Sequence, residues 1–303
     1  MPRTPAASLG TVHSSSAPLS TRAAPFFVMA HHRSGSNFLN DLLQSHPQVE
    51  CINEPLSMHT HFFREHDLNC WSEGDFDDDI LHPSLAAQEP LREYLHEFRH
   101  YLGRSDPGRV IGFKDTVLFG KLDWLRRFLP SLKIVFLKRE PNAIVSSVLR
   151  SNLMAFWDYA HLVPPAFKAV HPTFRSSARS DDEASAEVVA MSVVVRYEMA
   201  QRAIGAFEHL SIQLEDIMRE PASAVEDIAD FLGIARHDGP LHFIEERRAE
   251  SRGGRYSSFR TRDDVEHAWE RHLSVGQRRV IANVVACMRT SSPVEPPMSV
   301  LES

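Results

Sequence analysis

Cysteine is scarce: Cys51, Cys70 and Cys287 are the only three, widely spaced and never as C-x-x-C. That excludes a disulfide-stapled scaffold and a four-cysteine zinc site, and it fits a reducing, cytoplasmic setting. No run approaches the roughly 18 apolar residues of a membrane-spanning helix, and the apolar stretch Ala23–Ala30 is too short and wrongly flanked for a secretory signal. A basic excess is also missing. The 303 residues carry 33 Lys and Arg against 40 Asp and Glu, a formal net charge of −7. No global field draws in nucleic acid or an anionic membrane, so any bound anion must be held by local chemistry. There is no internal repeat. At 43% hydrophobic and 24% charged residues, the composition excludes a disordered, collagenous or coiled-coil chain.

Two ends stand apart from the rest. Residues 1–24 hold Arg3 and Arg22, no acid and many Ala, Ser and Thr. This suits a disordered N-terminal tail, with an organelle transit peptide as the alternative. Residues 291–303 read as a flexible C-terminal tail. Between them, 25–290 read as one domain. Phe26–Ala30 is a short, wholly apolar run, as expected of a buried parallel strand. It passes through His31-His32-Arg33-Ser34-Gly35-Ser36 into a helical pattern marked by Phe38, Leu39, Leu42 and Leu43 and stopped by Pro47. Further strands are expected at Gln48–Ile52, Arg109–Phe113, Leu132–Leu137 and Leu210–Leu214. Helices are expected around Leu91–Leu102, Leu118–Leu129, from Pro141 to about Asn152, Val188–Phe207, Pro221–Leu232, and from the capping box Ser274/Gln277 through Met288. Residues 155–183 and 249–262 read as loops. Alternating strands and helices predict an α/β domain, a central parallel sheet flanked by helices on both faces.

The chemistry concentrates in two places. After the first strand, successive amides around Gly35 at a helix start form a concave anion site. The helix dipole and Arg33 add positive potential, and Ser34 and Ser36 offer hydroxyls. The nucleotide-kinase signature G-x-x-x-x-G-K-[ST] is absent, because the segment has one glycine and an arginine. The second place is Leu132–Arg150. Arg139 follows the C-terminal end of a buried strand, where α/β sheets place ligands, and Ser147 lies about two turns into the next helix.

Together these segments resemble the sulfotransferases that use 3′-phosphoadenosine 5′-phosphosulfate (PAPS), in the style of the protein-tyrosine and carbohydrate branches. The first loop stands as H-R-S-G-S-N-F-L. The second motif, a strand followed by R-x-x-x-x-x-x-x-S, is met by K-I-V-F-L-K-R-E-P-N-A-I-V-S-S. The resemblance implies a P-loop NTPase-like sulfotransferase fold over roughly residues 25–290. It implies that Arg33, Ser34, Gly35, Ser36, Asn37 and Phe38 hold the 5′-phosphosulfate, and that Arg139 and Ser147 hold the 3′-phosphate. S-H-P-Q-V-E-C-I-N-E-P is similar to the segment ending in the family's catalytic glutamate, which places the general base on Glu54. G-F-K-D-T sets Lys114 where the family has its transition-state lysine, and D-I-A-D-F-L-G resembles a shared helix. The late loop Ser251–Ser257 is similar to a closing loop and implies contacts from Arg252, Gly253 and Arg255.

There are departures. Asn37 stands where Thr or Ser is usual, with an amide able to donate instead. Leu214 replaces a tyrosine near the cofactor. Lys138 either adds charge for the 3′-phosphate or is solvated. The implied reaction is sulfuryl transfer from PAPS to a hydroxyl or amine, by in-line attack. Glu54 takes the acceptor proton while Arg33 and Lys114 neutralise the leaving phosphate. No metal is expected: His59, His61 and His66 read as surface histidines and Asp75–Asp79 as a solvated acidic loop. His31 and His32 are either packed rings or acceptor contacts. The aromatics Phe156, Trp157, Tyr159, Phe167 and Phe174 either close over the acceptor or cap the core. The acceptor class stays open among sugar, phenol or tyrosine, lipid and small natural product. The competing readings are a metal-dependent kinase and a catalytically silent nucleotide-binding protein.

Overall fold

Phe26–Ala30 forms β1, and all five side chains are buried, as a strand between two helical layers requires. The computed structural model describes residues 23–56, 89–104, 108–151, 159–249, 252 and 259–290. Four further strands join β1: β2 (Val49–Asn53), β3 (Val110–Asp115), β4 (Lys133–Lys138) and β5 (Glu208–Gln213). Their order across the sheet is β2-β3-β1-β4-β5, and every pairing is parallel. The chain is thus the expected single α/β domain. Because β1 stands between β3 and β4, the chain leaves it toward both halves of the sheet, and a crevice opens at its C-terminal end.

The helices are α1 (Ser36–Gln44), α2 (Glu89–Leu102), α3 (Leu122–Phe128), α4 (Pro141–Arg150), α5 (Tyr159–Val170), α6 (Asp181–Ala203), α7 (Leu214–Arg219), α8 (Pro221–Leu232), α9 (Gly239–Arg248), α10 (Arg262–His272) and α11 (Val275–Thr290). Strand alternation sends successive side chains into two cores. Val28, Ala30, Val135 and Leu137 meet Leu39 and Leu42 of α1 and Ile228 of α8 on one face. Phe27, Met29, Phe113 and Phe136 meet Val189 and Val193 of α6 on the other. Phe27 stacks on Phe113 with ring centroids 4.7 Å apart, and each such fully buried ring contributes roughly 1.5–3 kcal/mol.

Several expectations change in detail. Residues 159–170, expected within a loop, are helical despite Pro164 and Pro165. Those prolines lie beyond the first turn of α5 and each removes a helical donor; Val163 and Phe167, four residues apart, are buried together in the same core as α6 and offset that loss. Helix α6 begins at Asp181 rather than Val188, because Ser180 caps it and accepts from the Glu183 amide at 3.3 Å. The last strand stops at Gln213, and Leu214 opens a short helix instead. The last helix opens with the expected reciprocal cap, Ser274 and Gln277 each accepting from the other's amide. Among the described residues, no helix is long and apolar enough to cross a membrane. The histidines 59, 61 and 66, the acidic run 75–79, and Phe156 and Trp157 lie outside the described residues.

Candidate functional site

The loop after β1 is drawn tight by its own atoms. The Ser34 amide and hydroxyl both donate to the His31 carbonyl, at 3.1 and 2.5 Å. The Ser34 hydroxyl, expected to serve an anion, is here fully buried and closes the turn. Arg33 takes a left-handed φ of 66°. Gly35 caps α1 at φ 90°, and the first amide bonded within the helix is Leu39, to the Gly35 carbonyl at 3.0 Å. The amides of Ser36, Asn37 and Phe38 are left to a ligand or to solvent, as in any helix first turn. The Phe38 ring itself is buried, 5.6 Å from Phe243, so only its backbone can serve an anion.

Gly35 is required twice over. Its φ suits glycine, and a Cβ there would lie 2.7 Å from Leu214 Cδ2. Gly35→Ala is expected to lower stability by about 1–3 kcal/mol, combining a left-handed alanine with displacement of Leu214. Denaturant unfolding measures this, and the loss should shrink in a Leu214→Ala background, where only the backbone cost remains.

Lys114 sits at the end of β3, paired in register with Val28 and with Asn53. Its side chain is completely buried, and its ammonium donates to Glu54 Oε1 at 2.6 Å and to Asn37 Oδ1 at 2.8 Å. Asn37 was expected to offer an amide hydrogen; its oxygen is what engages here. Glu54 follows β2, carries a left-handed φ of 49°, and donates its own amide to the Lys114 carbonyl at 2.7 Å. Its carboxylate keeps 17% exposure, enough to face an incoming group. Arg33 and Glu54 are the only non-glycine residues of positive φ among the described residues. Strain of this kind collects where geometry serves chemistry.

Asp115, on the opposite face of β3, accepts from the amides of Leu56, Thr116 and Val117, and so secures the turn that carries Glu54. Burial, then the nearby Glu54 carboxylate, push Asp115 up to about 7. Burial pushes the Cys51 thiol up to about 12, which makes it an inert packing group.

The two motifs meet. Arg33 Nε donates to Ser147 Oγ at 3.0 Å, and Arg139 Nη1 donates to the Arg33 carbonyl at 2.8 Å. Arg139 Nε is buried, makes no hydrogen bond among the described residues, and lies 3.9 Å from Glu215 Oε1. Burial lowers Arg139 to about 10, with Glu215 opposing the shift and Arg33 and Arg260 adding to it. Arg139 is therefore a cation at neutral pH with a donor to spare.

Four of these residues were not anticipated from the sequence. Tyr197, Glu215 and Arg260 surround Arg139, and Arg196 stands behind His31. None sits in a motif, and an arginine in an Arg-rich loop or a tyrosine mid-helix gives no local signal. Arg252, which was anticipated, places its guanidinium 3.8 Å over the Phe259 ring; Gly253 and Arg255 lie outside the described residues. Lys138 lies 5.0 Å over the Phe136 ring. His31 and His32 are both buried, with rings 4.1 Å apart. Phe167 and Phe174 pack edge to face in the core. An apolar pocket of about 210 Å³ lies elsewhere, against Leu42, Leu43, Val225 and Leu241. It contains none of the charged residues gathered at the crevice.

What the crevice offers is three cations, Arg33, Lys114 and Arg139, one partly exposed carboxylate, and a helix first turn. That set can hold a ligand with two separated anionic groups and take a proton beside one of them. The sulfotransferase family model matches residues 25–238. Among solved structures, the mouse sulfotransferase SULT7A1 complexed with PAP is similar at 13% identity and TM-score 0.51, covering 90% of this chain and 87% of that one. The sulfotransferase domain from the Synechococcus PCC 7002 olefin synthase is similar at 16% identity and TM-score 0.50, covering 91% and 98%.

Proposed function

The chain belongs to the sulfotransferase family, and from that premise we propose that it transfers a sulfuryl group from PAPS to a hydroxyl, or an amine, of an acceptor. The observation that carries this reading is the convergence of the two motifs, Arg33 on Ser147 and Arg139 on the Arg33 carbonyl. Two anion subsites side by side suit a nucleotide phosphorylated at both the 3′ and the 5′ positions. The fit is supported by the unbonded Nε of Arg139 and by the left-handed Gly35 that opens the first turn of α1. The mouse structure named above holds PAP, a ligand of that kind.

When bound, PAPS supplies the activated sulfuryl group. The protein's part is positioning and charge. The amides of Ser36, Asn37 and Phe38 with Arg33 hold the 5′ end, and Arg139 and Ser147 hold the 3′-phosphate. Lys114 and Arg33 neutralise charge on the leaving side, and Glu54 takes the acceptor proton. The reading calls on no metal, because these cations supply the neutralisation. The catalytic unit is residues 25–290, since Val280, Ile281 and Val284 of α11 share the core of α6. The setting proposed for the reaction is cytoplasmic.

The test is calorimetric binding of adenosine 3′,5′-bisphosphate against ADP, without magnesium. Micromolar binding of the bisphosphate with at least about tenfold preference, 1.4 kcal/mol, is expected. Equal affinity, or tighter ADP binding only with magnesium, overturns the reading in favour of a kinase. Binding without any PAPS-dependent turnover leaves a silent nucleotide-binding protein.

A further inference from the structure

Helix α6 crosses behind both anion subsites, and three of its buried side chains reach them. Tyr197 is 6% exposed. Its hydroxyl accepts from the Arg139 amide at 3.0 Å and donates to the Arg139 carbonyl at 3.3 Å. The β4–β5 ladder ends at Lys138 opposite Gln213, so Arg139 has no strand partner for its backbone. One phenol supplies both missing partners. Its ring packs edge to face on Phe136 at 5.5 Å, which fixes where the hydroxyl stands. With its backbone so held, Arg139 can deliver Nη1 to the Arg33 carbonyl and set Nε toward Glu215.

One residue before Tyr197, Arg196 donates from Nη1 to Ser192 Oγ at 2.5 Å and to His31 Nε2 at 3.0 Å. A guanidinium only donates, so Nε2 carries no proton; the proton is on Nδ1, which donates to the His32 carbonyl at 2.7 Å. Burial and Arg196 hold His31 well below the usual imidazole range, in keeping with a neutral ring. The carbonyl of His31 in turn receives the Ser34 amide and hydroxyl. A continuous set of hydrogen bonds thus runs from α6 into the first loop, and a second runs from the same turn of α6 into the second motif.

We propose that α6 is the brace that keeps the two anion subsites in register, with Tyr197 the positioning residue for Arg139 and Ser192 and Arg196 the positioning residues for the first loop. The proposal rests on the reading that the site takes a 3′-phosphorylated nucleotide. It separates the two arms: Tyr197 acts chiefly on the 3′-phosphate, with only a small effect on the 5′ end through the Arg139–Arg33 contact, and Ser192 and Arg196 act on the end every adenine nucleotide presents.

The experiment measures binding of adenosine 3′,5′-bisphosphate and of ADP to wild type, Tyr197→Phe and Ser192→Ala, with an unfolding midpoint for each. Wild type that does not prefer the bisphosphate overturns the parent reading and this one with it, and shows itself before any variant is made. Given that preference, Tyr197→Phe is expected to weaken the bisphosphate by about tenfold or more, the scale of losing backbone partners at a buried charged group, and to leave ADP within about twofold. Equal weakening of both nucleotides, or no change in either, overturns the positioning role. Ser192→Ala, the milder change, keeps the proposal exposed if Tyr197→Phe does not fold. It should weaken both nucleotides by one common factor of about three to ten, and an unchanged profile overturns the brace.

Discussion

Glu54→Gln lowers turnover by roughly 10²–10⁴-fold, the span of a lost general base, while affinity for adenosine 3′,5′-bisphosphate stays within about twofold of wild type. The amide has the carboxylate's shape, and its oxygen still accepts from the Lys114 ammonium, now 2.6 Å from Oε1. What it loses is the negative charge and the capacity to take a proton. Since Glu54 makes none of the contacts proposed for the two anion subsites, the loss belongs to kcat. A second consequence follows from burial. Lys114 is wholly enclosed, and with Gln at 54 its described partners are two neutral oxygens, so the folded state loses stability as well. The partial exposure of Glu54 keeps that loss below the figure for a fully enclosed pair. Turnover with any acceptor the wild type uses, read beside nucleotide calorimetry and an unfolding curve, separates these effects. Turnover near wild type removes Glu54 from the role of base.

The pairing of Lys114 with Glu54 shows why some of this site was legible and some was not. Strand ends and the loop after β1 announce themselves through apolar runs and glycine, so Arg33 and Arg139 were placed by position along the chain, whereas Lys114 was placed by the family likeness. Glu54 needed the family likeness, since an isolated glutamate after a short strand carries no signal. The Asn37 contact with Lys114 depended on the register of β3 against β1, which no local pattern encodes. The helices α9 and α10 escaped for a different reason. Of their residues only Pro240 and Ile244, and Val265, are buried, so neither shows an apolar stripe, and α10 is announced only by Thr261 accepting from the Asp264 amide. Helix α6 was legible as a helix, yet its polar members Ser192, Arg196 and Tyr197 look like interruptions of an apolar run until the fold brings two loops against them.

Arg139→Ala is expected to weaken adenosine 3′,5′-bisphosphate by about 2–3 kcal/mol, the worth of a hydrogen bond to a charged group, and to change ADP much less. Two further contacts go with the side chain: the Arg33 carbonyl loses its donor, and Glu215 loses the cation 3.9 Å away. The first loosens the loop that holds the 5′ end, so a small ADP effect belongs to the prediction. Glu215, already pushed up by burial, would take a proton more readily without the cation, which limits the repulsion it adds. Arg139→Lys divides charge from shape. A lysine restores the positive charge but cannot reach the Arg33 carbonyl and a phosphate together, so it should recover only part of the affinity. The pH dependence has a definite sign. Arg139 is lowered only to about 10, so it stays protonated from neutral pH to about 9, and a bound phosphate would raise it further. Wild-type affinity should hence show no loss traceable to this group up to about pH 9 and should weaken above about 10. Bisphosphate affinity in Arg139→Ala equal to wild type strips Arg139 of the 3′-phosphate, and with it goes the argument that the two motifs form one nucleotide site.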